Sequence, residues 1–142
     1  MHRIALLMSL HAFVGTAHAS VPASVPPSLI GIWALERPVP AKGPSGAVPR
    51  VELFISGGTL RGTYGCAKFT GRLSATSGAV RLDVRVSEPA PNERCALAAD
   101  LPFARALNDV TRFVVTRDRL VLLSNAERWT FRRVGFVTPA KP

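Results

Sequence analysis

Histidine is nearly missing from this chain of 142 residues, since the three present, His2, His11 and His18, all lie at or before position 18. Imidazole is the usual proton shuttle near neutral pH and the commonest metal ligand. Its absence from the rest of the chain argues against a hydrolase or a zinc enzyme. Acidic residues are scarce as well, nine Asp plus Glu against eighteen Lys plus Arg. The acids are scattered, and no Gly-x-Ser-x-Gly, His-Glu-x-x-His or phosphate-cradling glycine loop is present. The sequence predicts a non-enzymatic protein with no cofactor and no metal. No apolar run reaches the ~20 residues that a membrane-spanning helix requires, so no membrane span is expected.

What is present at the N-terminus explains where the histidines go. Met1-His2-Arg3 is followed by an apolar stretch from Ile4 to Val14 and then by Gly15-Thr16-Ala17-His18-Ala19 before Ser20. A charged start, a short apolar segment and a small-x-small site form the pattern of a secretory signal peptide. Cleavage near Ala19 leaves a mature chain without imidazole. Ser20 stands where a lipoprotein signal places Cys, so the mature form is expected to be soluble, not lipid-anchored, and periplasmic or secreted. Residues 20–28 carry three prolines and no charge and suggest a flexible leader.

The formal charge is +9, and only Lys42, Lys68 and Lys141 of the basic residues are lysine. In a cytosolic protein such a balance suggests nucleic acid. An exported chain meets anionic headgroups and polyanionic envelope polymers instead, so no nucleic-acid partner is expected. A basic, Arg-rich source proteome accounts for the charge equally well.

The rest of the chain has the periodicity of short strands. Leu29–Leu35 suggests a first strand with Trp33 as its largest buried surface, and residues 36–49, with four prolines and two glycines, a long loop. Arg50–Ile55 alternates, with Val51, Leu53 and Ile55 on one face and Glu52 and Phe54 on the other. Ser56-Gly57-Gly58 turns into Thr59–Tyr64, where Gly62 predicts a bulge or a close backbone approach. Gly71–Ala75 and Ala79–Ser87 follow, the latter with Val80, Leu82, Val84 and Val86 opposed to Arg81, Asp83 and Arg85. After a loop over 88–94 comes the one helical candidate, Asp100–Asp109, with Asp100 as its cap and Phe103, Ala104 and Leu107 on one face. Arg105 and Asp109 are spaced for a surface pair. Thr111–Thr116, Arg119–Leu123 and Arg128–Val134 complete the domain, with Trp129 and Phe131 on one side of the last strand. The fold class is α+β, mostly β: a curved antiparallel sheet or partly closed barrel of seven to eight short strands with one helix packed across it. Residues 29–134 form the single domain and 135–142 a tail.

Cys66 lies between Gly65 and Gly71 with Cys95 29 positions on. A pair of cysteines in an exported chain is most simply a disulfide. A metal site lacks further ligands, and a redox pair is more usually Cys-x-x-Cys; free thiols are the remaining alternative.

At these residues the sequence resembles the META/HslJ-like domain family of bacterial heat-inducible and envelope proteins. Ile30-Gly31-Ile32-Trp33-Ala34-Leu35 is similar to the family's opening Gly-x-Trp-x-Leu. Gly62-Thr63-Tyr64-Gly65-Cys66-Ala67-Lys68-Phe69-Thr70-Gly71 is similar to its Gly-x-x-Gly-Cys-Asn-x-Phe-x-Gly, with Ala67 where the family commonly has Asn. Cys95 ahead of a helix with Phe103 and Leu107, and the strand-rich finish from Phe113 to Phe131, complete the resemblance over about residues 29–134. It implies a non-enzymatic protein of envelope maintenance or stress resistance and supplies no catalytic residues.

The expected partner is an envelope protein or an anionic envelope component, met by a monomer. Arg81 and Arg85 share a strand face, and Arg117, Arg119, Arg128, Arg132 and Arg133 cluster in the last two hairpins. If these faces adjoin, they form a basic surface suited to phosphate or carboxylate; the alternative is a solvated face that serves solubility. A second expectation is a small-ligand carrier or an inhibitor of a partner enzyme that uses the mouth of the barrel, with Tyr64, Lys68 and loop 88–94 as contacts. An apolar cavity lined by Trp33, Phe54 and Trp129 would mark it.

Overall fold

The computed structural model describes residues 25–36, 49–95 and 101–138. The expected signal peptide, most of the expected leader, residues 37–48 of the expected loop and Asp100 with its expected capping role lie outside the described residues.

Among the described residues, alternating apolar side chains make the strands half-buried ribbons, and eight such ribbons close on one another. They are β1 (Gly31–Leu35), β2 (Val51–Ser56), β3 (Thr59–Tyr64), β4 (Ala67–Thr76), β5 (Ala79–Val86), β6 (Arg112–Val115), β7 (Arg119–Leu123) and β8 (Arg128–Gly135), with one helix, α1 (Pro102–Asn108), between β5 and β6. Each strand pairs with the next in antiparallel order, and β8 returns to pair with β1, so the sheet is a closed barrel. The expected mostly β architecture with one helix is observed, its curved antiparallel sheet closed into a barrel.

β4 begins at Ala67, four residues before the expected start, so the glycine-flanked cysteine motif enters a strand instead of preceding it. Ala67 and Phe69 point inward and are buried, which continues the alternation of Leu73 and Ala75 toward the N-terminus of the strand. Where Gly62 and Gly71 stand, the barrel wall coils too tightly for a side chain. A Cβ on Gly71 would lie 2.3 Å from the Asp83 carbonyl oxygen, and one on Gly62 would lie 2.3 Å from the Phe69 ring. The close approach expected at Gly62 is thus observed, with Phe69 occupying the space.

Trp33, Leu53, Leu60, Leu107, Leu120 and Phe131 fill the lumen and have no solvent exposure. Fully burying a large apolar side chain contributes about 1.5–3 kcal/mol, so this column dominates the cohesion of the domain. Each end of the barrel is closed. At one end Pro27–Leu29 forms a 3-10 turn, Leu29 is buried, and its carbonyl accepts the Trp33 indole N–H at 2.9 Å. Val25 also packs on the core, so the last residues of the expected leader belong to the domain. At the other end α1 carries Phe103, whose ring meets Tyr64 at 5.5 Å, Phe69 at 6.0 Å and Trp129 at 5.8 Å.

β5 and β6 pair only at Ala79–Arg112, and α1 packs against β5 where β6 has left it. There the Asn108 side chain bonds both backbone groups of Val84. The disulfide Cys66–Cys95 fastens the β3–β4 turn to the segment that leads into α1.

Candidate functional site: the outer wall of the barrel

Because the inner face is filled by apolar side chains, charged chemistry is confined to the outside, and strand register decides which charges meet. The turn Ser77-Gly78, with φ of 49° and 87°, is a two-residue hairpin loop of the type whose twist matches the flanking strands. It sets Ser74 opposite Arg81, Arg72 opposite Asp83 and Thr70 opposite Arg85. The β3–β4 hairpin in turn sets Arg61 opposite Thr70 and Thr63 opposite Lys68. Arg61, Lys68, Arg72, Arg81 and Arg85 therefore all face outward on β3–β5, and all are exposed. Diagonal neighbours across such pairs lie within reach of long side chains. By register Arg72 is diagonal to Arg61, Arg81 and Arg85, which makes a diamond of four outward-facing arginine positions.

Counter-charge inside the diamond is one carboxylate, Asp83, and it lies 3.8 Å from Arg85. Among the described residues no carboxylate comes within ion-pair distance of Arg61, Arg72 or Arg81. Lys68 meets Glu93 at 3.4 Å, an exposed pair, and exposed pairs hold about 0–1 kcal/mol. A shallow basin of about 510 Å³ lined by Thr59, Thr70, Gly71, Arg72, Asp83 and Arg85 sits within the array.

Beside it, toward β1, the same wall is apolar. Ile32 and Phe54 are opposite each other on the outside of β1 and β2 and are half-buried. They floor a groove of about 630 Å³ rimmed by Glu52, Arg61, Thr63, Lys68, Thr70 and Ser87. Glu52 is held by Arg50 at 2.8 Å. Arg61, Lys68 and Thr70 belong to both the groove and the array.

The arginines singled out from the sequence do not form one surface. Arg81 and Arg85 lie in the diamond. Arg119 and Arg132 face each other across β7 and β8, on a different part of the wall that β6 separates from β5, and Arg119 reaches Glu36 at 3.6 Å. Arg128 starts β8 at the α1 end, opposite Leu123. Arg117 lies in the β6–β7 turn at the opposite end.

Arg133 is not part of an outer face at all. Its Nε donates to the Arg117 carbonyl at 2.6 Å, one terminal nitrogen to the Ile30 carbonyl at 2.7 Å and the other to the Ser28 carbonyl at 2.6 Å. The guanidinium lies 4.0 Å from the Trp33 ring centre and 5.0 Å from that of Phe136. Burial lowers its pKa from the ordinary arginine value, and nearby Asp118 partly offsets this. It is a latch over one end of the barrel, with three of its five N–H groups given to carbonyl oxygens.

The three aromatics expected to line one cavity are dispersed. Trp33 lies in the lumen beneath Arg133, Trp129 packs on Phe103 at the other end, and Phe54 is on the outer wall. Tyr64 also belongs to the α1 end, within the ring cluster. Of the contacts expected for a carrier, Lys68 lines the groove and Glu93 touches Lys68, but the mouths of the barrel are both occupied by the protein itself. Arg61, Lys68 and Arg72 completed the array without having been expected in it. The two-residue turn at Ser77-Gly78 was the signal that could have found Arg72, since counting back from it puts Arg72 beside Arg81 and Arg85.

Compared with known protein families, curated proteins and solved structures, the chain matches none.

Proposed function

We propose that the chain is an exported, non-enzymatic META/HslJ-like domain that attaches to an anionic component of the cell envelope through the outer wall of β3–β5, serving envelope maintenance or stress resistance. The observation that carries this reading is the diamond of Arg61, Arg72, Arg81 and Arg85 around a single carboxylate. Like charges at neighbouring positions of one exposed wall repel one another, and a surface phosphate or carboxylate relieves that repulsion while accepting bidentate hydrogen bonds. The disulfide is compatible with an oxidising compartment outside the cytoplasm, and the signal-like N-terminus points the same way. A rigid barrel suits the role, because the array sits on paired strands that fix its spacing.

The test is co-sedimentation of the mature protein with anionic and neutral vesicles over a salt series. Binding to anionic vesicles that weakens as salt rises is expected. Arg72→Glu with Arg81→Glu abolishes it, whereas Arg119→Glu with Arg132→Glu, on the other part of the wall, leaves most of it. Equal binding to anionic and neutral vesicles refutes the proposal.

A further inference from the structure

The groove beside the array has a different chemistry from the array. Its floor is apolar, Ile32 and Phe54, and its rim carries two cations on the side that adjoins the diamond, Arg61 and Lys68. Its volume of about 630 Å³ falls in the range of roughly 300–1,000 Å³ typical of small-molecule sites. A peptide strand has nothing to pair with there. β1 to β4, which carry the groove floor and most of its rim, are hydrogen-bonded on both sides, so no free strand edge borders the Ile32–Phe54 floor for strand addition. An inorganic anion has no use for the Ile32–Phe54 floor. What matches both parts is a small amphiphile with an apolar chain and a phosphate or carboxylate head.

From this complementarity we propose that the groove seats a single-chain anionic amphiphile, its chain along Ile32 and Phe54 and its head between Arg61 and Lys68. This rests on the reading of the wall as an anion-binding surface and narrows it to one kind of ligand. The head displaces Glu93 from Lys68, a step made easy by the exposure of that pair. Thr63, Thr70 and Ser87 supply further hydrogen-bond partners at the rim. Glu52 does not oppose the head, because Arg50 already neutralises it.

The probe is 1-myristoyl lysophosphatidic acid below its aggregation threshold, titrated into the mature protein by calorimetry. Glycerol 3-phosphate serves as the head alone and monomyristoyl glycerol as the chain alone. The lysophosphatidic acid is expected to bind more tightly than either part. Phe54→Ser weakens it about tenfold or more, the scale of lost apolar contact in a pocket. Thr63→Trp, which fills the groove with a residue already exposed on the outside, blocks it without relying on Phe54. Arg61→Gln with Lys68→Gln weakens the lysophosphatidic acid and leaves monomyristoyl glycerol unchanged. Equal binding of glycerol 3-phosphate and lysophosphatidic acid, or indifference to both Phe54→Ser and Thr63→Trp, overturns the inference. If the lysophosphatidic acid does not bind while anionic vesicles still bind in an Arg72- and Arg81-dependent manner, the groove proposal falls and the wall reading stands. If neither binds, the wall reading falls too.

Discussion

The side-chain amide of Asn108 stands in for a missing strand beside Val84. Its Oδ1 accepts the Val84 N–H at 2.7 Å and its Nδ2 donates to the Val84 carbonyl at 3.0 Å, the two bonds that a residue of a neighbouring strand would make. β6 departs from β5 after a single pair, and without Asn108 these two backbone groups would have no partner within the barrel wall. Asn108→Ala is expected to destabilise the protein by about 1–3 kcal/mol, because partly buried backbone groups lose their bonds. Asn108→Asp keeps an acceptor but sets a carboxylate against the Val84 carbonyl, so it should do no better than alanine. The midpoint of urea unfolding measures both, and an unchanged midpoint for Asn108→Ala would show that the pairing is dispensable.

Arg133 predicts a different pattern of substitution. Three carbonyl acceptors and a stacked ring demand a planar group with several fixed donors, which lysine lacks. Arg133→Lys should therefore lose most of the stability that Arg133→Met loses, about 2–4 kcal/mol on the scale of a charged hydrogen-bonded network. Thermal unfolding followed by tryptophan fluorescence, with Trp129→Phe in the background so that Trp33 alone reports, reads it. Rescue by lysine would mean that charge alone matters.

A glycine of the coiled wall and a glycine of a turn separate steric from conformational demands. Gly71→Ala drives a methyl group into the backbone of Asp83 and Val84 and is expected to cost 3 kcal/mol or more, on the order of a severe overpacking. Gly57, in the β2–β3 turn, has φ of 56° and nothing within 4 Å of its virtual Cβ. Gly57→Ala should cost only about 1 kcal/mol, the left-handed penalty itself. Equal losses at the two sites would contradict the steric account.

The disulfide closes a loop of 29 positions, and its removal by Cys66→Ser with Cys95→Ser is expected to cost about 3–4 kcal/mol on the chain-entropy scale. Thiol titration of the denatured, unreduced protein should find no free thiol. Two free thiols would refute the bond.

Local order was legible from the residues themselves. Strict alternation in Val80–Val86 and in Val51–Ile55 fixed which side chains point inward, and the pair of glycine-rich turns fixed which strands are neighbours. The start of β4 was missed because the glycines around Cys66 suggest a loop, although Ala67 and Phe69 already carry the inward alternation. Arg133 was grouped with Arg132, yet the same alternation puts it on the side of Trp129 and Phe131, where the structure finds it. Closure of the barrel and the part played by Asn108 were not legible. Both depend on three-dimensional register between residues far apart, for which periodicity carries no signal. The basic wall was half legible: Arg81 and Arg85 share a face by parity, but their union with Arg61 and Arg72 needs the registers of two hairpins at once.

The pairing of β1 with β8 ties structural integrity to the last strand made. The Arg133 side chain reaches Ile30 across a separation of 103 residues, and such distant contacts form slowly because the intervening chain must be ordered first. A nascent chain that has not yet released β8 holds β1 and β7 with unpaired edges, a form prone to association. Final folding is thereby deferred until synthesis has passed Arg133, so a chain cut short before that residue lacks both the closing strand and the side chain that latches the end of the barrel.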